Sequence, residues 1–275
     1  MGKLMKYDAN RLWRIGRVFM IIIAGTALLS AILFGLAARM LSFSYEIAPQ
    51  YVILSTTMIM GGIFLLLGGL AALVAFPIIT YVNYYKSMFS DEGYLTHALP
   101  YKTEHLFYSK FFTGIIGTAL LYIYAAICAF FAVILGILVA GGFGAEVPPA
   151  VDPSYPAMTV TPLQGVTVLL VILDVPVSFV MTFSVSYCII TFVSLCVRRA
   201  RVIAGIGIYY GVSSVGSFLI SIVAPLVTIG GLTNPGLMDL MTLLQIVFIL
   251  VYHTALLLVS FFLARQLLRK KLNLE

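Results

Sequence analysis

Residues 52–81, VILSTTMIMGGIFLLLGGLAALVAFPIITY, run for thirty positions without a charged side chain. An amphipathic helix of a soluble protein shows an apolar stripe at a period of 3.6 residues, and a half-buried strand alternates at every second residue; this stretch does neither. A hydrocarbon core about 30 Å thick takes roughly 20 apolar residues as a helix, so the stretch can cross a bilayer with some tilt. Backbone groups in lipid find no water, which leaves helices and closed barrels as spanning structures, and the missing dyad alternation selects the helix. Pro77, near the end of the stretch, predicts a tilt or kink with the helix continuing into water toward Lys86.

Outward from this stretch, five more apolar segments of similar length lie at Val18 to Ala38, Phe111 to Ala140, Val166 to Val197, Val202 to Ile229 and Leu240 to Ala264. The expected fold class is all-α, a polytopic membrane protein with six transmembrane helices, with residues 1–275 forming a single transmembrane domain. Composition agrees: 62% of the 275 residues are hydrophobic, 9% are charged, and mean hydropathy is +1.10. A water-soluble domain carries about a quarter charged residues, so six spans and their loops leave no length for a separate soluble catalytic domain. The first segment is too long for the ~7–15-residue core of a cleaved signal and is read as a retained helix.

Basic residues resist translocation, and their distribution orients the chain. With N- and C-termini cytoplasmic, fifteen of the sixteen Lys and Arg residues lie inside and only Arg39 lies outside. The opposite orientation reverses every one of these placements. The formal charge of +6 therefore encodes orientation in the cell (cytoplasmic) membrane. It offers no basic stripe on a folded surface, and nucleic acid is not an expected partner.

Catalytic patterns are absent from the sequence. There is no GxxxxGK(S/T) phosphate cradle, no HExxH and no GxSxG, so this chain is expected to have no catalytic residues and no nucleotide site of its own. Cys128, Cys188 and Cys196 sit in apolar stretches, and His97, His105 and His253 have no ligand-like spacing, so no metal site is expected. Outside the spans, residues 141–165 form a loop on the outer side, punctuated by Pro148, Pro149, Pro153, Pro156 and Pro162, that reads as a linker or a lid.

The cytoplasmic segment 82–110 is the most informative. Within it, SDEGYLTHALPYKTEH (90–105) places Ser90 as a cap, Asp91 and Glu92 in a first turn where the helix dipole favours acids, and Pro100 as a stop. Thr103 can cap the next helix, with Glu104 in its first turn. Tyr94, Leu95, Ala98 and Leu99 share an apolar face, while Asp91 and His97 project elsewhere. Such a helix can lie on lipid, pack on its own bundle, or enter a groove on a soluble partner. Three lysines offset three acids in the segment, so attraction to anionic lipid is weak, and docking to a partner is the better reading. Gly93 either lets a partner backbone approach closely or merely loosens the turn.

Residues 1–17 contrast with this. Leu4, Leu12, Ile15 and Phe19 share one side, Lys3, Lys6, Arg11, Arg14 and Arg17 populate others, and Trp13 is of the interfacial type. They read either as an amphipathic elbow along the inner leaflet or as a basic flank that only sets topology.

The elbow, the six spans, the cytoplasmic ends and the helix between spans two and three resemble the ABC exporter permeases of the type-two family. Residues 88–100, MFSDEGYLTHALP, closely resemble the DEGYLTHxLP signature of permeases in Gram-positive bacteria, especially clostridia, and the layout is similar to that of phenol-soluble modulin exporter permeases. The resemblance implies that Asp91, Glu92, Gly93, Tyr94, Leu95, His97 and Leu99 belong to a coupling helix seated in a separate ABC ATPase subunit, which binds ATP and Mg. It further implies a second permease copy or paralogue and export of amphipathic or hydrophobic peptides. Alternatives are a membrane component of an ABC importer and an exporter of drugs or lipids. The Pro-rich outer loop lies between spans three and four, a departure from the family layout.

Inside the fourth span, Asp174 is followed at steps of four by Ser178, Thr182 and Ser186. A carboxylate near mid-membrane costs about 2.5–3.5 kcal/mol on insertion scales, so it should face protein or water. The stripe reads as a translocation path or a wet interface. The other reading has the hydroxyls bonding their own i−4 carbonyls near Pro176 while Asp174 reaches for the outer surface. Gly207 and Gly211 at GxxxG spacing predict close packing of the fifth span within the chain, or in a dimer seam; the Gly61, Gly62 and Gly68, Gly69 doublets say the same of the second.

Overall fold

The computed structural model describes residues 2–42, 49–90, 103–141, 162–197, 200–233 and 235–271. They form six α-helices and no strand: α1 Gly2–Ser42, α2 Pro49–Phe89, α3 Thr103–Ala140, α4 Pro162–Cys196, α5 Arg201–Thr233 and α6 Pro235–Lys271. All six are long and apolar enough to cross a membrane. The chain is thus an all-α, multi-pass membrane protein. At 1.5 Å per residue the 41 residues of α2 and 38 of α3 extend about 62 and 57 Å, roughly twice the hydrocarbon thickness.

The helix boundaries follow local chemistry. α2 runs through Pro77 and ends where the Ser90 hydroxyl donates back to the Lys86 carbonyl. α3 begins at Thr103 with Glu104 in its first turn, where an acid complements the dipole. Residues 2–17 are continuous with the first span: no proline or turn interrupts α1 between the basic flank and the apolar core. Leu12 is buried, and Leu4, Ile15 and Phe19 are half-buried on the same side as expected, but Asp8 shares that buried side. Between α4 and α5 the chain turns at Ala200, whose φ of +54° lies in the left-handed region.

Packing divides the chain into two compact units, one of Met1–Thr80 and Phe112–Pro156, the other of Tyr81–Phe111 and Ala157–Glu275. In the first unit the core is Ile23, Ala72, Phe76 and Leu121, with Phe19 edge-on to Phe76 at 5.6 Å. Backbones approach closely there. A β-carbon on Gly35 would lie 2.7 Å from the Gly136 carbonyl oxygen, one on Gly62 would lie 2.9 Å from the Phe34 ring, and one on Gly69 would lie 2.9 Å from the Thr26 hydroxyl. The doublets of α2 therefore seat side chains of α1.

In the second unit α4 and α6 run parallel and form the principal seam, with α5 against both. The expectation for Gly207 and Gly211 needs correcting: among the described residues a β-carbon on either would meet nothing within 4 Å, so the GxxxG pair packs no described helix of this chain. Close approach of α5 to α6 occurs instead at buried Gly216, which lies against the Tyr252 hydroxyl.

Candidate functional site

The seam between α4 and α6 carries polar contacts at successive levels. Gln164 donates to Asp239 at 3.2 Å near the helix starts. Nearly three turns further along α4, His253 Nδ1 lies 2.8 Å from Asp174 Oδ1, with only 15% and 19% of the two side chains exposed. Deeper still, Ser260 donates to the Ser184 hydroxyl at 2.7 Å, and Ser184 donates to the Leu257 carbonyl at 3.2 Å. Each donor and acceptor satisfied across the seam removes a group that hydrocarbon would leave unpaired.

The Asp174–His253 contact changes the chemistry of the stripe. An isolated carboxylate in the apolar part of a helix must surface, take a proton or find a partner. Here the two groups partner each other: either a ring Nδ1–H donates to the carboxylate or a carboxylic O–H donates to Nδ1, and neither polar atom is left facing hydrocarbon. The remaining expected members separate from it. Ser178 donates to the Val175 carbonyl at 3.0 Å and Thr182 to the Ser178 carbonyl at 2.9 Å, so both hydroxyls serve their own helix, while Ser186 is buried. His253 was missed by sequence reasoning, which sought ligand-like spacing within a segment. Its only sequence signal is an ionisable residue inside an apolar run, the same signal that drew attention to Asp174.

At the other end of the seam the largest side chains of this unit interlock. Tyr84, Met88, Leu106, Phe107, Phe183 and Tyr187 are each nearly or fully buried. Tyr84 and Tyr187 rings lie 4.2 Å apart, and Phe111 meets Tyr187 edge-on at 5.5 Å and Phe261 at 5.3 Å. Thr191 directs its hydroxyl proton to the Tyr187 carbonyl at 2.8 Å, so in the 2.9 Å contact with Tyr84 the phenol is the donor. Tyr187 in turn donates to the Lys110 carbonyl at 3.3 Å, and Arg265 pairs with Glu104 at 3.1 Å. Aromatic pairs of this geometry contribute about 0.5–1.5 kcal/mol beyond burial. The end of α2 and the start of α3 are thereby tied to α4 and α6.

The seven expected docking residues, Asp91, Glu92, Gly93, Tyr94, Leu95, His97 and Leu99, lie outside the described residues, as does most of the 141–165 loop. Lys6, Arg11, Trp13, Arg14 and Arg17 lie on the exposed side of α1. Among the described residues no group of three His, Cys, Asp or Glu side chains is placed to hold a metal ion.

No protein-family model matches the chain, and comparisons with curated proteins and with solved structures return no match. What fold and site define is a multi-pass helical membrane protein whose six spans are compatible with membrane transport.

Proposed function

We propose that the chain is the permease subunit of an ATP-driven ABC exporter of the cytoplasmic membrane, with both termini inside and amphipathic or hydrophobic peptides as cargo. A separate ATPase subunit holds ATP and Mg, and a second permease copy or paralogue completes the pathway. The observation that carries this reading is the pair of helices on either side of residues 90–102. Both are far longer than a bilayer requires, their facing ends are locked by Tyr84, Phe107 and Tyr187, and the segment they join bears the DEGYLTHALP sequence. A motor beneath the membrane needs a stiff connection to the spans, and two helices pinned by a buried aromatic cluster supply it.

The test is co-purification of the full chain with the co-expressed ATPase, followed by ATP-dependent peptide accumulation in sealed vesicles. Leu95→Arg and Tyr94→Asp should each abolish ATPase retention while the permease stays monodisperse. Retention by both variants overturns docking through this segment. The Asp174–His253 pair favours a second reading, a proton-coupled carrier acting alone; transport that needs a pH gradient and no nucleotide selects it over the first.

A further inference from the structure

The first unit contains a groove of about 510 Å³, none of whose lining residues belongs to the Asp174–His253 seam or to the expected docking segment. One wall is α1 from Met5 to Met20, including Lys6, Asn10 and Trp13; the opposite wall is Ile116, Gly117 and Leu120 of α3, and the floor is Phe76 and Leu121. Thr113 of α3 adds one buried hydroxyl to the lining, and charge is confined to one end. Lys6 and Asn10 are exposed there, whereas from Trp13 to Met20 every lining group is apolar or glycine.

Shape sets the class of occupant. Met5 to Met20 spans about 22 Å along the helix, so the mean cross-section is only ~23 Å². A long, narrow apolar groove of this kind suits one extended hydrocarbon chain lying along α1. Charge sets the headgroup. Lys6 stands at the polar mouth, Arg11, Arg14 and Arg17 follow on exposed positions of the same helix, and Trp13 has the amphipathic ring that occupies the headgroup level. The space is also real at the side-chain level: a β-carbon built on Gly117 would meet nothing within 4 Å.

We propose that this groove is a binding site for one anionic phospholipid, with an acyl chain between Trp13 and Leu120 and the phosphate at Lys6. The site is independent of the ATPase-coupled reading, because it requires only α1–α3 and a bilayer.

Trp13 is the only tryptophan in the chain and lines the groove, so its fluorescence reports occupancy without a label. The full-length protein is reconstituted in phosphatidylcholine vesicles containing a small fraction of either phosphatidylglycerol or phosphatidylcholine brominated on the acyl chain. Brominated phosphatidylglycerol should reach half-maximal quenching at a mole fraction lower by on the order of fivefold, the preference expected from one base beside an anionic headgroup. Lys6→Ala should remove most of that preference and Lys6→Arg should keep it. Gly117→Leu, which fills the groove from α3, should abolish the preference although the exposed bases remain; Gly117→Ala controls for the loss of glycine. Equal quenching by the two lipids overturns the proposal. So does a preference that survives Gly117→Leu, since that is general attraction of anionic lipid to the basic flank. Relief of quenching by an added amphipathic peptide, with phosphatidylglycerol held constant, would assign the groove to peptide and also overturn it.

Discussion

In the unit of residues 1–80 and 112–156, helices meet where side chains are missing; in the unit of residues 81–111 and 157–275, they meet where rings and hydroxyls interlock. Gly35, Gly62 and Gly69 let backbone or bulky neighbours come within contact of the first unit's helices, and its buried cluster of Ile23, Ala72, Phe76 and Leu121 holds a single ring. The second unit has Tyr84, Phe107, Phe183 and Tyr187 at its centre, with hydrogen bonds from Tyr84, Tyr187, Ser184 and Ser260. In lipid there is no hydrophobic drive to bring two apolar helices together, so association comes from dispersion at close approach or from polar contacts. Close approach dominates in the first unit, while the second adds polar contacts and rings to the close approach at Gly216. The first should therefore be most sensitive to added volume, the second to lost polar groups.

The largest effect is expected at Gly35. A leucine there would drive its β-carbon into the Gly136 carbonyl and Val139, both at 2.7 Å, and a backbone group cannot rotate away. Overpacking of this kind costs about 3 kcal/mol, the upper end of its usual range. Gly25, also in α1, has open space at its β-carbon. Gly25→Ala should be neutral or stabilising by up to ~1 kcal/mol through helix propensity. Thermal unfolding in one detergent compares the two, and equal destabilisation would remove the contrast between crowded and open glycines.

Next in size is the Asp174–His253 pair. Removing either partner leaves an ionisable group in apolar surroundings and should cost about 2–3 kcal/mol. Replacing both by leucine should recover most of the loss, because the unpaired group is then gone. A double-mutant cycle on unfolding, run beside peptide transport, separates stability from function. If the double variant is as unstable as the singles, the pair is not a self-contained unit. If it is stable and transports at the normal rate, the pair belongs to the frame and not to the pathway.

A smaller loss is expected for Tyr84→Phe, which keeps the ring stack on Tyr187 and removes one phenol donor. Thr191 retains its bond to the Tyr187 carbonyl, so the cost should be that of one net hydrogen bond, about 1 kcal/mol. Tyr84→Leu, which also deletes the stack, should cost clearly more. Identical losses would mean that the ring contributes nothing beyond its polar tip.

The spans were legible in the sequence because hydropathy is a sum over contiguous residues: α2 and α3 begin and end close to where charge and capping residues said they should, at Ser90 and Thr103. Pairings between helices were not, because they depend on rotation and register. Asp174 stood out as an acid in an apolar run, but nothing local points to a partner 79 positions away. The GxxxG spacing of Gly207 and Gly211 marks a surface that can be packed closely, and whether anything occupies it depends on the neighbour; Gly35 and Gly216, without such a motif, are where helices touch. Asp8 lies on the buried side of α1 four residues before Leu12, and nothing in the pattern of bases around it marks that side.

The smallest effect sharpens the comparison at the turn between α4 and α5. Ala200 holds a left-handed φ of +54°, which crowds its β-carbon against the backbone and costs about 1–2 kcal/mol. Its surroundings fix that conformation: Val197 closes α4 through the Val193 carbonyl, Ala204 donates to the Ala200 carbonyl to open α5, and Arg201 Nε reaches back to the Val197 carbonyl at 3.0 Å. Ala200→Gly removes the crowding but adds freedom to the unfolded chain worth roughly 0.5–1 kcal/mol, so the net gain should be below about 1 kcal/mol. A raised unfolding midpoint in Ala200→Gly, together with a lowered one in Arg201→Ala, is the expected pattern. A lowered midpoint in Ala200→Gly would mean that the turn is not left-handed in the membrane. In that case this turn stores no strain, and the rigidity of the second unit rests on the aromatic cluster and the hydrogen bonds between α4 and α6.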